Sequence, residues 1–85
     1  MNERDAATRI ERFVRDTFDV APTDPGFGRA ADLFEGGYVD SVGLTELLAF
    51  IEEEFSLEVP EEDLLSDEFA TIDGMARVLA RVADR

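Results

Sequence analysis

The sequence predicts an all-α domain: a four-helix bundle with one short helix and a long loop between the first and second helices. Apolar residues recur at spacings of three and four in three segments, which is typical of helices that face a common core. A capping residue precedes each of these segments, and no segment alternates like a strand. The 85 residues suit one domain, which we assign to residues 1–85.

The first helix is expected to start after the cap Asn2 and to end near Phe18, because two prolines and a glycine follow closely. Its predicted buried stripe is Ile10, Phe13, Val14 and Phe18. The i,i+4 spacing predicts the ion pairs Asp5–Arg9, Glu11–Arg15 and Arg12–Asp16.

Residues 19–40 form a long connection, and a connection of this length is uncommon without a role or a structure of its own. We expect Phe27, Leu33 and Phe34 to dock it on the bundle. Gly36 and Gly37 permit a positive φ and deliver the chain to the second helix.

The second helix is expected to begin after the cap Asp40, with Ser41 on its first turn and the serine hydroxyl facing solvent. Apolar residues then fall at Val42, Leu44, Leu47, Leu48, Ile51 and Phe55. Glu46, Glu52 and Glu53 occupy the opposite face.

Pro60 suits the first turn of a short third helix, in which we expect Leu64 and Leu65 to contact the core. Thr71 is expected to cap the last helix. The stripe of this helix is Ile72, Met75, Ala76, Leu79 and Val82, and another face carries Arg77, Arg81 and Arg85.

The order of these features resembles the acyl carrier protein family, from Leu33 onward. The matching residues are Gly37, Asp40-Ser41-Val42, Leu44, Leu47, Leu48, Glu52-Glu53-Glu54-Phe55, Val59-Pro60-Glu61-Glu62-Asp63 and Phe69-Ala70-Thr71-Ile72-Asp73. The resemblance implies a cofactor, 4'-phosphopantetheine, which a separate phosphopantetheinyl transferase takes from coenzyme A and attaches to the Ser41 hydroxyl, with Asp40 beside it.

The resemblance further implies that the arm holds an acyl or aminoacyl group as a thioester and shuttles it between biosynthetic enzymes. Partners would be a loading enzyme and a downstream transferase or synthase. Gly43 stands where fatty-acid carriers usually have a polar residue, so the run is closer to D-alanyl or aminoacyl carriers and to discrete carriers of polyketide or nonribosomal peptide pathways. Two explanations of Gly43 stay open. One is sequence drift on a helix that packing stabilises, and the other is the close approach of the arm or of a partner's backbone.

Charge indicates what the partners are. The net charge is −13, all eight basic residues are arginines, and every charged residue between Arg29 and Arg77 is acidic. Such a surface repels nucleic acid and anionic lipid and favours basic patches, although a solvated face that maintains solubility is the simpler reading. The predicted partner-binding residues are Val42, which enters an apolar pocket, with Thr45, Glu46, Glu52 and Glu53 around it.

The composition argues against an enzyme. Ser41 has no histidine or lysine in the chain to act as its base, and there is no cysteine for a thiolate metal site, so we assign no catalytic residues and no metal ligands. No apolar run reaches the ~18 residues of a membrane span, and no apolar segment of a signal peptide follows the first residues, so we expect a cytoplasmic protein. We also expect a monomer. Two alternatives stay open: a carrier-shaped module that never receives the arm, and an acidic helical adaptor or nucleic-acid mimic that binds a basic protein.

Overall fold

The computed structural model describes residues 1–84, so the predicted arginine at position 85 lies outside the described residues. Residues 1–84 form helices and connections without a strand, and the predicted all-α bundle is confirmed. The helices are α1 (Glu3–Thr17), α2 (Ser41–Glu54), α3 (Glu61–Leu64), a 3₁₀ helix (Asp67–Ala70) and α4 (Ile72–Ala83). Within the described chain no helix is long and apolar enough to cross a membrane.

The three long helices begin where their caps predict. The Asn2 side chain accepts a hydrogen bond from the Asp5 N–H at 3.1 Å. Asp40 and Thr71 do the same for Gly43 (2.7 Å) and Gly74 (2.9 Å). Each cap satisfies an amide that has no partner within its helix, so local sequence alone sets these three starts.

The core lies between α1, α2 and α4 and is closed by the long connection. Leu33 in that connection is fully buried, and its N–H donates to the Ala70 carbonyl at 2.9 Å. The Leu33 carbonyl accepts from the N–H groups of Tyr38 and Val39. Phe27 and Phe34 pack against the core from partly buried positions, as predicted. The connection is therefore folded onto the bundle and positions the start of α2.

Two details of the prediction are wrong. Leu65 is 76% exposed, whereas its neighbour Leu64 packs against the core. Leu65 is the residue that ends this four-residue helix, and its side chain projects about 100° away from that of Leu64, off the face that meets the core. The pairs Asp5–Arg9 (3.1 Å) and Glu11–Arg15 (2.9 Å) form, but Arg12 makes no ion pair with a carboxylate of residues 1–84.

Ion pairs connect α3 and the 3₁₀ helix to α4. Glu68 of the 3₁₀ helix accepts from Arg81 at 2.7 Å and from Arg77 at 3.0 Å. Arg81 also lies 3.7 Å from Asp63 of α3. Hydrogen bonds from Arg81 and Arg77 lower the pKa of Glu68 to about 2. These contacts give α3 and the 3₁₀ helix an electrostatic tether to α4 in addition to their apolar packing.

Candidate functional site

Ser41 is the first residue of α2, and it is exposed. Its hydroxyl makes no hydrogen bond to any of residues 1–84. The neighbouring Asp40 carboxylate is instead occupied by the cap to Gly43, and the Asp40 carbonyl accepts from Leu44 at 2.8 Å. Asp40 therefore fixes the first turn, while the Ser41 oxygen stays available for chemistry.

The electrostatics of this helix end suit an anion. The first amides of a helix lack intrahelical partners, and the helix dipole places partial positive charge there. Apart from the cap Asp40, whose carboxylate already accepts from the Gly43 N–H, the start of α2 contains no acidic residue, unlike the first turns of α1 and α3. A phosphate ester on the Ser41 oxygen would lie beside this positive end. The residues present at Ser41 therefore fit the phosphate of 4'-phosphopantetheine.

The loop that leads to Ser41 is held by contacts that the sequence did not reveal. Gly37 has φ of +80°, a conformation that glycine adopts without strain. The Tyr38 hydroxyl donates to Asp24 at 3.0 Å, and partial burial together with that carboxylate raises the pKa of Tyr38. The Tyr38 ring meets Phe27 edge-to-face at 5.2 Å, and the Arg15 guanidinium lies 4.6 Å from the Phe27 ring centre. Side chains from the loop and α1 therefore position the residues before Ser41.

Gly43 has an explanation within the chain that sequence reasoning missed. It is buried, and a Cβ at this position would lie 2.8 Å from Cε1 and 3.2 Å from Cζ of Phe18. A side chain here would collide with the ring that ends α1, so the close approach is that of Phe18. Phe18 appeared in the predicted α1 stripe, but its contact with α2 depends on how the two helices pack.

The predicted partner-binding residues divide into two groups. Val42 is 69% exposed, and Thr45, Glu46 and Glu53 are also exposed. The Thr45 hydroxyl donates to the Ser41 carbonyl at 3.2 Å, within α2. Glu52 differs, because it is half-buried and its Oε2 accepts from the Val59 N–H at 3.0 Å. The structure therefore presents an apolar and acidic surface next to Ser41 and gives Glu52 a structural contact as well.

No group of acidic, histidine or cysteine side chains within residues 1–84 could hold a metal ion. A family profile described as a phosphopantetheine attachment site matches residues 8–79, which include the loop, Ser41 and most of α4. The chain belongs to this family. The predicted relation to acyl carrier proteins is confirmed, and with it the cofactor of the family, covalent 4'-phosphopantetheine. A comparison with curated proteins gives no match.

Carrier domains of this family work with transferases and biosynthetic enzymes and are generally not catalytic themselves. The chain is thus a phosphopantetheine carrier protein.

Proposed function

We propose that Ser41 carries the 4'-phosphopantetheine arm and that this protein shuttles an acyl or aminoacyl group between biosynthetic enzymes. The observation that carries the proposal is the exposed Ser41 hydroxyl, which has no hydrogen-bond partner in residues 1–84 and lies at a helix end that favours phosphate. Ser56 is also exposed, but it lies in the turn after α2 with φ of +52°, away from any helix start.

The attachment reaction needs an enzyme other than this one. The Ser41 oxygen would attack the diphosphate of coenzyme A, forming an O–P bond as the nucleoside bisphosphate leaves. The hydroxyl proton would pass to a base of the transferase, because the chain has neither histidine nor lysine and the neighbouring Asp40 carboxylate accepts from the Gly43 N–H. When attached, the arm supplies a thiol that holds the cargo as a thioester. Asp40 contributes by capping the turn that presents the oxygen.

We further propose that partner enzymes recognise the surface beside Ser41. Val42 offers an exposed apolar side chain for a pocket, and Glu46 and Glu53 offer exposed carboxylates for basic residues. The run from Asp40 to Leu48 supports a place among discrete carriers of polyketide or nonribosomal peptide biosynthesis.

Mass spectrometry tests the attachment residue. The unmodified protein, incubated with coenzyme A, Mg²⁺ and a broad-specificity phosphopantetheinyl transferase, should gain one phosphopantetheinyl group. Ser41→Ala should gain none while keeping its helical circular dichroism, because the exposed hydroxyl makes no contact that the fold needs. Ser56→Ala is the matched control and should be modified like the wild type. Modification of Ser41→Ala would refute the assignment.

Reversal of one charge tests the docking surface. Glu46→Arg should slow modification severalfold at low salt, because rim charges act mainly on encounter and orientation. Glu58→Arg makes the same charge change at another exposed glutamate and should have a smaller effect. The difference between the modification rates of the two variants should become smaller as the salt concentration rises, since the Debye length falls to ~3 Å at 1 M. Equal rates for both variants at low salt would remove Glu46 from the docking surface.

A further inference from the structure

A groove with arginines along its walls runs beside one face of α1. It consists of a cleft of about 360 Å³ and a cleft of about 250 Å³, and Arg29 of the long connection lines both. The α1 residues that line the two clefts recur as adjacent pairs four positions apart, from Glu3-Arg4 to Arg15-Asp16. Residues four apart lie on one face of a helix, so the clefts follow each other along the same face for roughly 20 Å. We call this surface the arginine groove.

The arginine groove is the basic part of an acidic molecule. Five of the eight arginines of the chain line it: Arg4, Arg12, Arg15, Arg29 and Arg77. Four carboxylates line it too: Glu3, Glu11, Asp16 and Asp73. The groove therefore has more arginines than carboxylates, whereas the whole chain has a net charge of −13. Exposed charges farther away than the Debye length, ~8 Å at physiological ionic strength, are largely screened, so the nearby arginines act most strongly on a ligand in the groove.

Two of the arginines are held in place by one carboxylate. Arg15 and Arg29 each donate through Nε to Glu11, at 2.9 Å and 2.8 Å, and Arg29 also donates to the Thr8 hydroxyl at 3.0 Å. An arginine has five N–H donors, and the terminal amino groups of Arg15 make no hydrogen bond within residues 1–84. Donors that are already oriented lose less side-chain freedom when they bind a ligand. Glu11 therefore prepares part of the groove for an anion.

Two further arginines of the groove are unengaged. Arg4 and Arg12 are exposed, and neither forms an ion pair with another of residues 1–84. They are eight positions apart on α1, roughly 12 Å along the axis. About four residues of an extended chain cover this distance at 3.3–3.6 Å each. A guanidinium pairs well with a carboxylate, so this spacing favours several carboxylates on one extended chain over a single small anion.

We propose that the arginine groove is a second docking surface, and that its occupant is an extended acidic segment of a partner protein. Carboxylates of the segment would pair with Arg4, Arg12 and the terminal N–H groups of Arg15. The uniformly acidic region between Arg29 and Arg77 would repel the same segment, which limits where it can bind. None of the predicted partner-binding residues near Ser41 lines the groove, so a partner can hold the protein there while the start of α2 stays accessible.

Titration with a hexaglutamate peptide tests the proposal. The ¹⁵N-labelled, unmodified protein would be followed by nuclear magnetic resonance of its arginine side chains. The Nε–H resonances of Arg12, Arg15 and Arg29 should shift together and saturate with a single Kd. This Kd should rise with salt concentration, because the pairing is electrostatic. A hexaglutamine peptide has the same length without the charge and should cause no saturable shift.

Matched variants locate the contacts. Arg4→Gln and Arg12→Gln should each weaken peptide binding severalfold and leave the helical circular dichroism unchanged, because neither arginine is paired within residues 1–84. The two losses should multiply in the double variant, since sites this far apart act independently. Arg9→Gln is the control. Arg9 lies on α1 outside the groove, and its ion pairs with Asp5 and Glu54 are exposed and contribute little to stability. This variant should leave the Kd unchanged.

Three outcomes would overturn the proposal. Equal weakening by Arg9→Gln and Arg12→Gln would show that the peptide responds to net charge alone. Saturation of the same resonances by inorganic phosphate at concentrations as low as those of the peptide would replace the acidic segment with a small anion. The same shifts on concentrating the protein without peptide would assign the groove to a second copy of the chain. None of these outcomes affects the assignment of the arm to Ser41, which mass spectrometry tests separately.

Discussion

Replacement of Gly43 by alanine tests how α1 and α2 pack beside Ser41. The new Cβ would lie 2.8 Å from Cε1 and 3.2 Å from Cζ of Phe18, and 3.3 Å from the capping oxygen of Asp40. Contacts below 3.0 Å are not tolerated, so the Phe18 ring must move. Its freedom is limited, because the ring also packs edge-to-face on Phe13.

Two opposing terms set the size of the effect. Alanine is favoured over glycine inside a helix by about 1 kcal/mol. Displacing a packed ring typically costs about 1–3 kcal/mol. We therefore expect Gly43→Ala to be destabilising by about 1 kcal/mol, rather than stabilising as it would be at an open helix position.

A double-mutant cycle with Phe18→Leu isolates the contact, with unfolding in urea as the assay. In the Phe18→Leu background the ring is gone, and the alanine should stabilise the protein by about 1 kcal/mol through its helix propensity alone. The coupling between the two positions should then be about 2 kcal/mol. If Gly43→Ala stabilises both backgrounds equally, Phe18 is not the reason for the glycine, and the packing argument is wrong.

Three further predictions follow from the other contacts. Gly74→Ala should lower the free energy of unfolding in urea by about 3 kcal/mol, because the new Cβ would overlap the backbone carbonyl of Glu68. This carbonyl, unlike the Phe18 ring beside Gly43, cannot rotate away. Glu68→Gln should lower the melting temperature at neutral pH. Because the folded pKa of Glu68 is lowered from 4.5 to about 2, the difference in melting temperature from the wild type should persist above pH 4.5 and disappear as the pH falls toward 2. A difference that does not depend on pH would refute the stabilising role of the Glu68 ion pairs. Asp40→Ala should lower the free energy of unfolding by about 1 kcal/mol, whereas Asp40→Asn should lower it little, because the asparagine oxygen can also accept from the Gly43 N–H. Equal losses in the two variants would show that the capping hydrogen bond is not what stabilises the protein.

The sequence was sufficient wherever structure depends on near neighbours. The caps Asn2, Asp40 and Thr71 act on amides three residues away, so their effect can be predicted without the fold. The apolar periodicity of α4 likewise predicted most of its buried face, although it left out Val78, which is fully buried. Ser41 was predicted as the attachment site from the order of the surrounding motifs. Its helix-start position and exposure agree with the structure, whereas the attachment itself stays a prediction.

What could not be predicted depends on distant residues. Two adjacent leucines in one short turn are equivalent in sequence, so only packing decides that Leu64 is covered and Leu65 is exposed. Glu52 was predicted as a partner contact, but its bond to the Val59 N–H depends on how the chain turns after α2.

Localisation of the modified residue tests the central claim most directly. Arginine-specific cleavage of the wild-type protein leaves residues 30–77 as one peptide, which contains Ser41, Ser56 and Ser66. After incubation with coenzyme A and the transferase, fragmentation of this peptide should place the single phosphopantetheinyl group on Ser41. A group on another residue, or no gain in mass with a transferase shown to be active, would contradict the account.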